Sequence, residues 1–178
     1  MEENYLISVC GRQAVDDQTG EVEVTAWGSY VKRNGKRYIS YKEYDEDTNQ
    51  SQTSILKIEG NHCVTLMRGG IDGTRLILEN GKRHLCQYAT DYGQMMLGVF
   101  TSRVDNQLTD EGGKLTVNYT LDLDANLSSV NQLCITVKEA EHQDVKTCTA
   151  GKGAAALRHS ESGRESTGAA GAAFGETS

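Results

Sequence analysis

Proline is absent from all 178 residues. Glycine and asparagine must therefore set most of the turns, because no proline is present to fix a backbone angle or stop an element. Basic residues are also in short supply: 18 Lys and Arg stand against 25 Asp and Glu, giving a net charge of −7. That balance argues against the basic face that nucleic acids and acidic membrane surfaces require, so neither is expected as a partner. No apolar run approaches the roughly 20 residues of a membrane-spanning helix. The opening Met1-Glu2-Glu3-Asn4 lacks the basic-then-apolar order of a secretory leader, so a cytoplasmic location is expected. Five cysteines (Cys10, Cys63, Cys86, Cys134 and Cys148) contain no C-x-x-C pair. An odd, scattered set without a leader predicts reduced thiols that pack as small hydrophobes, not a disulfide framework. The four histidines, His62, His84, His142 and His159, are equally dispersed. A zinc site needs three or four converging ligands, so no metal and no cofactor are expected. Gly69-Gly70-Ile71-Asp72-Gly73 is glycine-rich, but no helix start follows it, which argues against a phosphate cradle.

What is present is alternation. Tyr5 to Gln13 places Ile7 and Val9 on one side of a strand. Glu21 to Arg33 and Lys36 to Tyr44 flank Asn34-Gly35, a dipeptide that tolerates the two positive φ angles of a type I′ hairpin turn. A two-residue loop there pairs Tyr30 with Ile39 and Gly28 with Tyr41. Mid-strand Gly28 marks a bend or bulge. For Thr53 to Glu59 and Cys63 to Arg68, a two-residue loop would put Val64 on the wrong face. A three-residue loop, Gly60-Asn61-His62, instead sets Ile58 opposite Val64 and Leu56 opposite Leu66, because a slip of one residue inverts every side chain. His62 is then a turn residue.

Thr74 to Arg103 carries three more strands. Asn80-Gly81 as a two-residue loop pairs Leu76 with Leu85, and Asp91-Tyr92-Gly93 pairs Leu85 with Val99 and Tyr88 with Met96. Lys114 to Asp122 alternates most cleanly. With Asp124-Ala125-Asn126 as its loop, Val117 meets Leu133 and Leu115 meets Ile135. About ten strands in simple succession predict an all-β, antiparallel up-and-down meander of 8–10 strands closed into a barrel, which removes exposed edges. Residues 1–139 form this domain. From Ala140 to Ser178, Gly, Ala, Ser, Thr and charges dominate, which predicts a disordered tail.

Several runs resemble one family. GKRYISY (35–41), LKIEG (56–60), GKRHLCQYAT (81–90), LGVFT (97–101) and LTDEGGKL (108–115) are similar, in order and spacing, to the YwiB-like family of small bacterial proteins with a domain of unknown function. The resemblance runs from about Tyr5 to Glu139. It implies a calycin-like β-barrel, related in shape to lipocalins, and no established activity. The lipocalin G-x-W hallmark is absent, Trp27 standing in Ala26-Trp27-Gly28, so lipocalin-style binding does not carry over.

Three readings of the Thr74–Arg103 strands stay open. In one phase Leu76, Leu78, Leu85, Leu97 and Val99 face the lumen, leaving an outer apolar face around Tyr88, Met96 and Phe100 for a partner or a second copy of the chain. In the inverse phase Arg75, His84, Cys86 and Tyr88 line the lumen, with Met96 and Phe100 as apolar walls and Arg75 as counter-charge for a small amphipathic ligand. In the third, side chains simply fill the barrel. His84 and Cys86 share a strand face, but a Cys–His nucleophile needs an orienting acid, and none stands beside them in a known motif. The expectation is a non-enzymatic barrel that binds a small hydrophobic or amphipathic ligand at Arg75, His84, Cys86 and Tyr88. An interaction module or homodimer is the alternative.

Overall fold

The computed structural model describes residues 3–45 and 48–140. The tail expectation therefore lies, beyond Ala140, outside the described residues. Ten strands form the barrel: β1 (Tyr5–Val15), β2 (Gln18–Arg33), β3 (Lys36–Asp45), β4 (Gln50–Glu59), β5 (Cys63–Arg68), β6 (Thr74–Glu79), β7 (Arg83–Thr90), β8 (Gly93–Thr109), β9 (Gly112–Leu123) and β10 (Asn126–Glu139). Each strand pairs antiparallel with its neighbours in sequence, and β1 pairs with β10 to close the ring. The ring is thereby closed, with its sparsest seam between β6 and β7, where Arg75–Gln87 is the single registered pair.

Alternation decides which side chains enter the lumen. Ile7, Val9, Ile39, Leu56, Ile58, Val64, Leu66, Leu76, Leu78, Leu97, Val99, Leu115, Val117, Leu121, Leu133, Ile135 and Val137 are 0–2% exposed and belong to one continuous cluster. Each large aliphatic side chain so buried contributes about 1.5–3 kcal/mol. Tyr30 reaches across one end of the barrel, its hydroxyl donating to the Thr109 carbonyl at 2.7 Å. Gly28 lies between Tyr5 of β1 and Tyr41 of β3. A methyl there would stand 2.3 Å from the Ser40 carbonyl oxygen, so only glycine fits this close approach.

Three hairpins have the expected pairing. Asn34 and Gly35 adopt φ of 52° and 73°, as a type I′ turn demands, and Tyr30 meets Ile39. Ile58 meets Val64 across the three-residue loop. Val117 meets Leu133, but by a different route: the turn is the two residues Asp124-Ala125, and a bulge between Leu127 and Ser129 restores the register. A second bulge, between Thr101 and Arg103, makes Ser102 the extra residue of β8.

The hairpins on either side of β7 differ from expectation. Asn80 does not take a positive φ, and the β6–β7 loop has three residues, Asn80-Gly81-Lys82, because this loop bonds to β8: the Gly81 N–H donates to the Thr101 carbonyl at 2.7 Å and the Thr101 N–H to the Lys82 carbonyl at 3.2 Å. The β7–β8 turn has two residues, Asp91-Tyr92, with Thr90 opposite Gly93. These two one-residue differences have opposite sign. The phase of β8 relative to β6 is unchanged, and β7 alone is inverted. Leu85 consequently faces outward opposite Gly98, while Cys86 and Tyr88 face inward opposite Leu97 and Met95.

Candidate functional site

The lumen takes only part of the expected ligand set. Cys86 and Tyr88 are 2% and 3% exposed and sit inside. Arg75 is exposed on the outer surface, opposite Gln87, and cannot supply a counter-charge to the lumen. His84 is half-buried near the barrel end, its Nε2 2.7 Å from the Glu79 carboxylate. Lys82 and then His84 hold that carboxylate's pKa below its ordinary value.

Cys86 is occupied differently. Its Sγ accepts the Ile77 N–H at 3.2 Å, a bond that stands in for the missing ladder between β6 and β7, where Arg75–Gln87 is the registered pair. Thr74 does similar work, its Oγ1 accepting the Ala89 N–H at 3.1 Å. Burial pushes the Cys86 thiol up, outweighing the Ile77 N–H and the Arg75 charge, which pull it down. A thiol held protonated is a poor nucleophile. His84 does have an acid partner, Glu79, but the Cys86 Sγ is engaged by the Ile77 N–H and its thiol is pushed up by burial, so no activated Cys–His pair is formed.

The phenols inside are likewise shifted upward. Burial raises Tyr41, with Glu43 adding to it, and burial raises Tyr119, with Tyr88 adding to it. Glu43 is bound by Arg68, whose Nη2 donates at 2.5 Å while its Nε donates to Gln52 at 2.7 Å. Ile39, Leu56, Val64, Leu76, Leu78, Leu97, Val99 and Leu121 have no surface that water can touch. Among the described residues, no group of three or more His, Cys, Asp or Glu side chains could hold a metal ion.

The outer wall is different. Leu85, Met96, Phe100, Leu127 and Val130 are 39–67% exposed. Phe100 pairs with Thr120, Thr120 with Val130, Val130 with Ala14, and Ala14 with Thr19, giving one transverse row across β8, β9, β10, β1 and β2. Leu85, opposite Gly98, lies on the same face diagonally from both Met96 and Phe100, which stand four residues apart on β8. Tyr88, which the interaction-module alternative placed on this face, is replaced there by Leu85 because β7 is inverted.

Next to Phe100 the wall forms an open groove of about 490 Å³, floored by Ala14, Thr19, Thr120 and Val130. Its polar border pairs within itself. Arg12 Nε lies 3.0 Å from Glu21 Oε2, and Gln132 Nε2 donates to Asn118 Oδ1 at 3.0 Å. Arg83 clamps Asp122 through two hydrogen bonds of 2.9 and 2.5 Å. That clamp crosses the position where Gly98 has no side chain, since a methyl there would fall 2.2 Å from the guanidinium. It also holds the Asp122 carboxyl below its ordinary pKa.

A family model described as a domain of unknown function, DUF1934, matches residues 7–135. The chain belongs to this family. It is 22% identical over 144 residues to the uncharacterised β-barrel protein YwiB of Bacillus subtilis strain 168, covering 80% of this chain and 99% of that protein. The crystal structure of the B. subtilis protein superposes with a TM-score of 0.67 at 20% identity, covering 77% of this chain and 92% of the other. The likeness spans the barrel and carries the YwiB-like fold.

Proposed function

We propose that this barrel is a non-enzymatic interaction module whose outer face, centred on Phe100, docks a second copy of the same chain. The observation that carries the reading is the cluster of Leu85, Met96, Phe100, Leu127 and Val130 on one wall, bordered by a groove. Apolar centres with polar rims are the anatomy of protein interfaces. The charges on this face are already in opposite-sign pairs: Arg83 with Asp122, which lies across Gly98 between Leu85 and Leu127, and Arg12 with Glu21. Such a face offers little field to select a charged partner. Two copies related by a two-fold axis can meet there without opposing like charges, despite a net charge of −7 each.

The lumen gives less support to a small hydrophobic or amphipathic ligand. Its aliphatic positions touch one another, and Arg75 lies outside. A ligand would have to displace side chains whose burial holds the barrel together.

Sedimentation velocity of the full chain over a wide concentration range tests the proposal. A concentration-dependent dimer is expected, with Phe100→Asp shifting it to monomer and leaving thermal stability nearly unchanged. A wild-type chain that stays monomeric throughout rules the second copy out. Native mass spectrometry of chain purified from cells separates the readings, since a monomer that carries a non-covalent small molecule favours the lumen.

A further inference from the structure

We infer that Cys10 and Cys134 form a dithiol site that a small disulfide, such as oxidised glutathione, converts into a cross-strand bridge between β1 and β10. The two residues are direct partners in the ladder that closes the barrel. Both are part-exposed free thiols. They share the outer face with Ser8, Arg12 and Gln132, alternating with the inward Val9, Leu133 and Ile135. Neither of the other described cysteines has such a partner: Cys63 stands opposite Glu59 and Glu79, and Cys86 opposite Leu97.

Geometry permits the bond and makes it reversible. Directly opposed residues of an antiparallel pair have Cα atoms about 4.5 or 5.5 Å apart, inside the roughly 4.4–6.8 Å range of disulfides. Their Cβ atoms lie about 4.5–5.5 Å apart, where a bridge prefers about 3.5–4.5 Å. The strands must tighten slightly to close it. Strained, part-exposed disulfides are the readily reduced ones.

The surroundings divide the labour between the two sulfurs. The Cys10 S–H donates to Glu21 Oε1 at 3.4 Å, and the Thr116 hydroxyl donates to Cys134 Sγ at 3.9 Å. Burial, followed by Glu21, holds the Cys10 thiol protonated above its ordinary range. With the Cys10 S–H engaged by Glu21, Cys134 is the first attacker. Its thiolate bonds to one sulfur of oxidised glutathione, the reagent's own S–S bond breaks, and one glutathione thiolate leaves. Cys10 then attacks the Cys134 sulfur, and its proton passes to the departing second glutathione, which leaves as the free thiol. The protein gives up two electrons and the reagent takes them. The bridge sits at the border of the outer groove, since Arg12 and Gln132 lie two residues beyond the two cysteines.

The test uses the full chain in graded mixtures of reduced and oxidised glutathione, followed by alkylation and tryptic mapping without reduction. The expected product is lighter by two hydrogens, links peptide Met1–Arg12 to Leu115–Lys138, and reverts with dithiothreitol. It should persist when Cys63, Cys86 and Cys148 are all replaced by serine. Cys134→Ser should yield no bridge. The inference fails if Cys10 and Cys134 both remain alkylatable in excess oxidised glutathione. It fails equally if a glutathione adduct accumulates on Cys134 unresolved, or if the bridge joins other cysteines.

Discussion

Two glycines on β2 should respond in opposite ways to the same methyl group. Gly28→Ala places a Cβ 2.3 Å from the Ser40 carbonyl oxygen, 2.9 Å from Ile7 Cγ1 and 3.1 Å from Tyr41 Cβ. A comfortable carbon–oxygen contact is about 3.3–3.6 Å, so β2 and β3 must separate by about 1 Å. The nearest obstacle is backbone, held in register by the Gly28–Tyr41 and Ser29–Ser40 pairs. It cannot swing aside as a side chain would. Overpacking of this kind costs about 1–3 kcal/mol, and a backbone obstacle belongs at the upper end. Loss of unfolded-state freedom returns about 0.4–1 kcal/mol, leaving a net destabilisation of about 2 kcal/mol.

At about 2–4 °C per kcal/mol for a chain of this size, the melting temperature should fall by roughly 4–8 °C. Gly20→Ala is the control, because nothing lies within 4 Å of its added methyl. It should be neutral or stabilising by up to about 1 kcal/mol. Thermal and urea unfolding followed by circular dichroism measures both. If Gly28→Ala melts with the wild type, or the two variants shift together, the close approach of β2 to β3 is not as described.

Other perturbations follow from the same contacts. Leu56→Ala, at a position with no exposed surface, should cost about 2–5 kcal/mol in the same unfolding assay. Asp122 has a folded pKa below its ordinary 3.8 because Arg83 binds it. Its contribution is present above that value and lost as pH falls through the folded pKa, so Asp122→Asn should flatten the acid side of the stability–pH curve and lower stability at neutral pH. In native chain, Cys86 should alkylate last among the described thiols, because it alone is fully buried, and rapid Cys86 labelling in a time course would contradict the inward phase of β7.

The barrel was legible because its strongest signals are local. Alternation in Lys114–Asp122 and the mismatch that excluded a two-residue loop before Cys63 each fix a register from a few residues. At Asn34-Gly35 the dipeptide does what its conformational freedom allows. At Asn80-Gly81 the same dipeptide does not, since the loop spends its backbone groups on Thr101 of β8, 20 residues away in sequence. No local rule reports that contact. The cross-strand thiol pair was hidden for the same reason: Cys10 and Cys134 meet only where the first strand closes on the last. Their spacing in sequence carries no signature.

One inverted strand redistributes both candidate sites. With β7 turned, Cys86 and Tyr88 enter the lumen while Arg75 on β6 stays outside. The interior then has phenols and a thiol, and lacks the fixed positive charge that would recognise an acid headgroup there. The outer wall loses Tyr88 and gains Leu85, an aliphatic group without a hydroxyl to solvate. Without Arg75 the lumen is less polar than a ligand pocket requires, and with Leu85 the wall is more apolar at that position, although Arg83 and Gln87 turn outward with it. A less polar lumen is a better core and a weaker ligand pocket, because packing needs no convergent polar groups and recognition does. A less polar wall is a stronger interface, because its exposed area has nothing to lose on leaving water. The single-residue loop differences on either side of β7 thus decide which of its side chains stand inside the barrel and which on its wall.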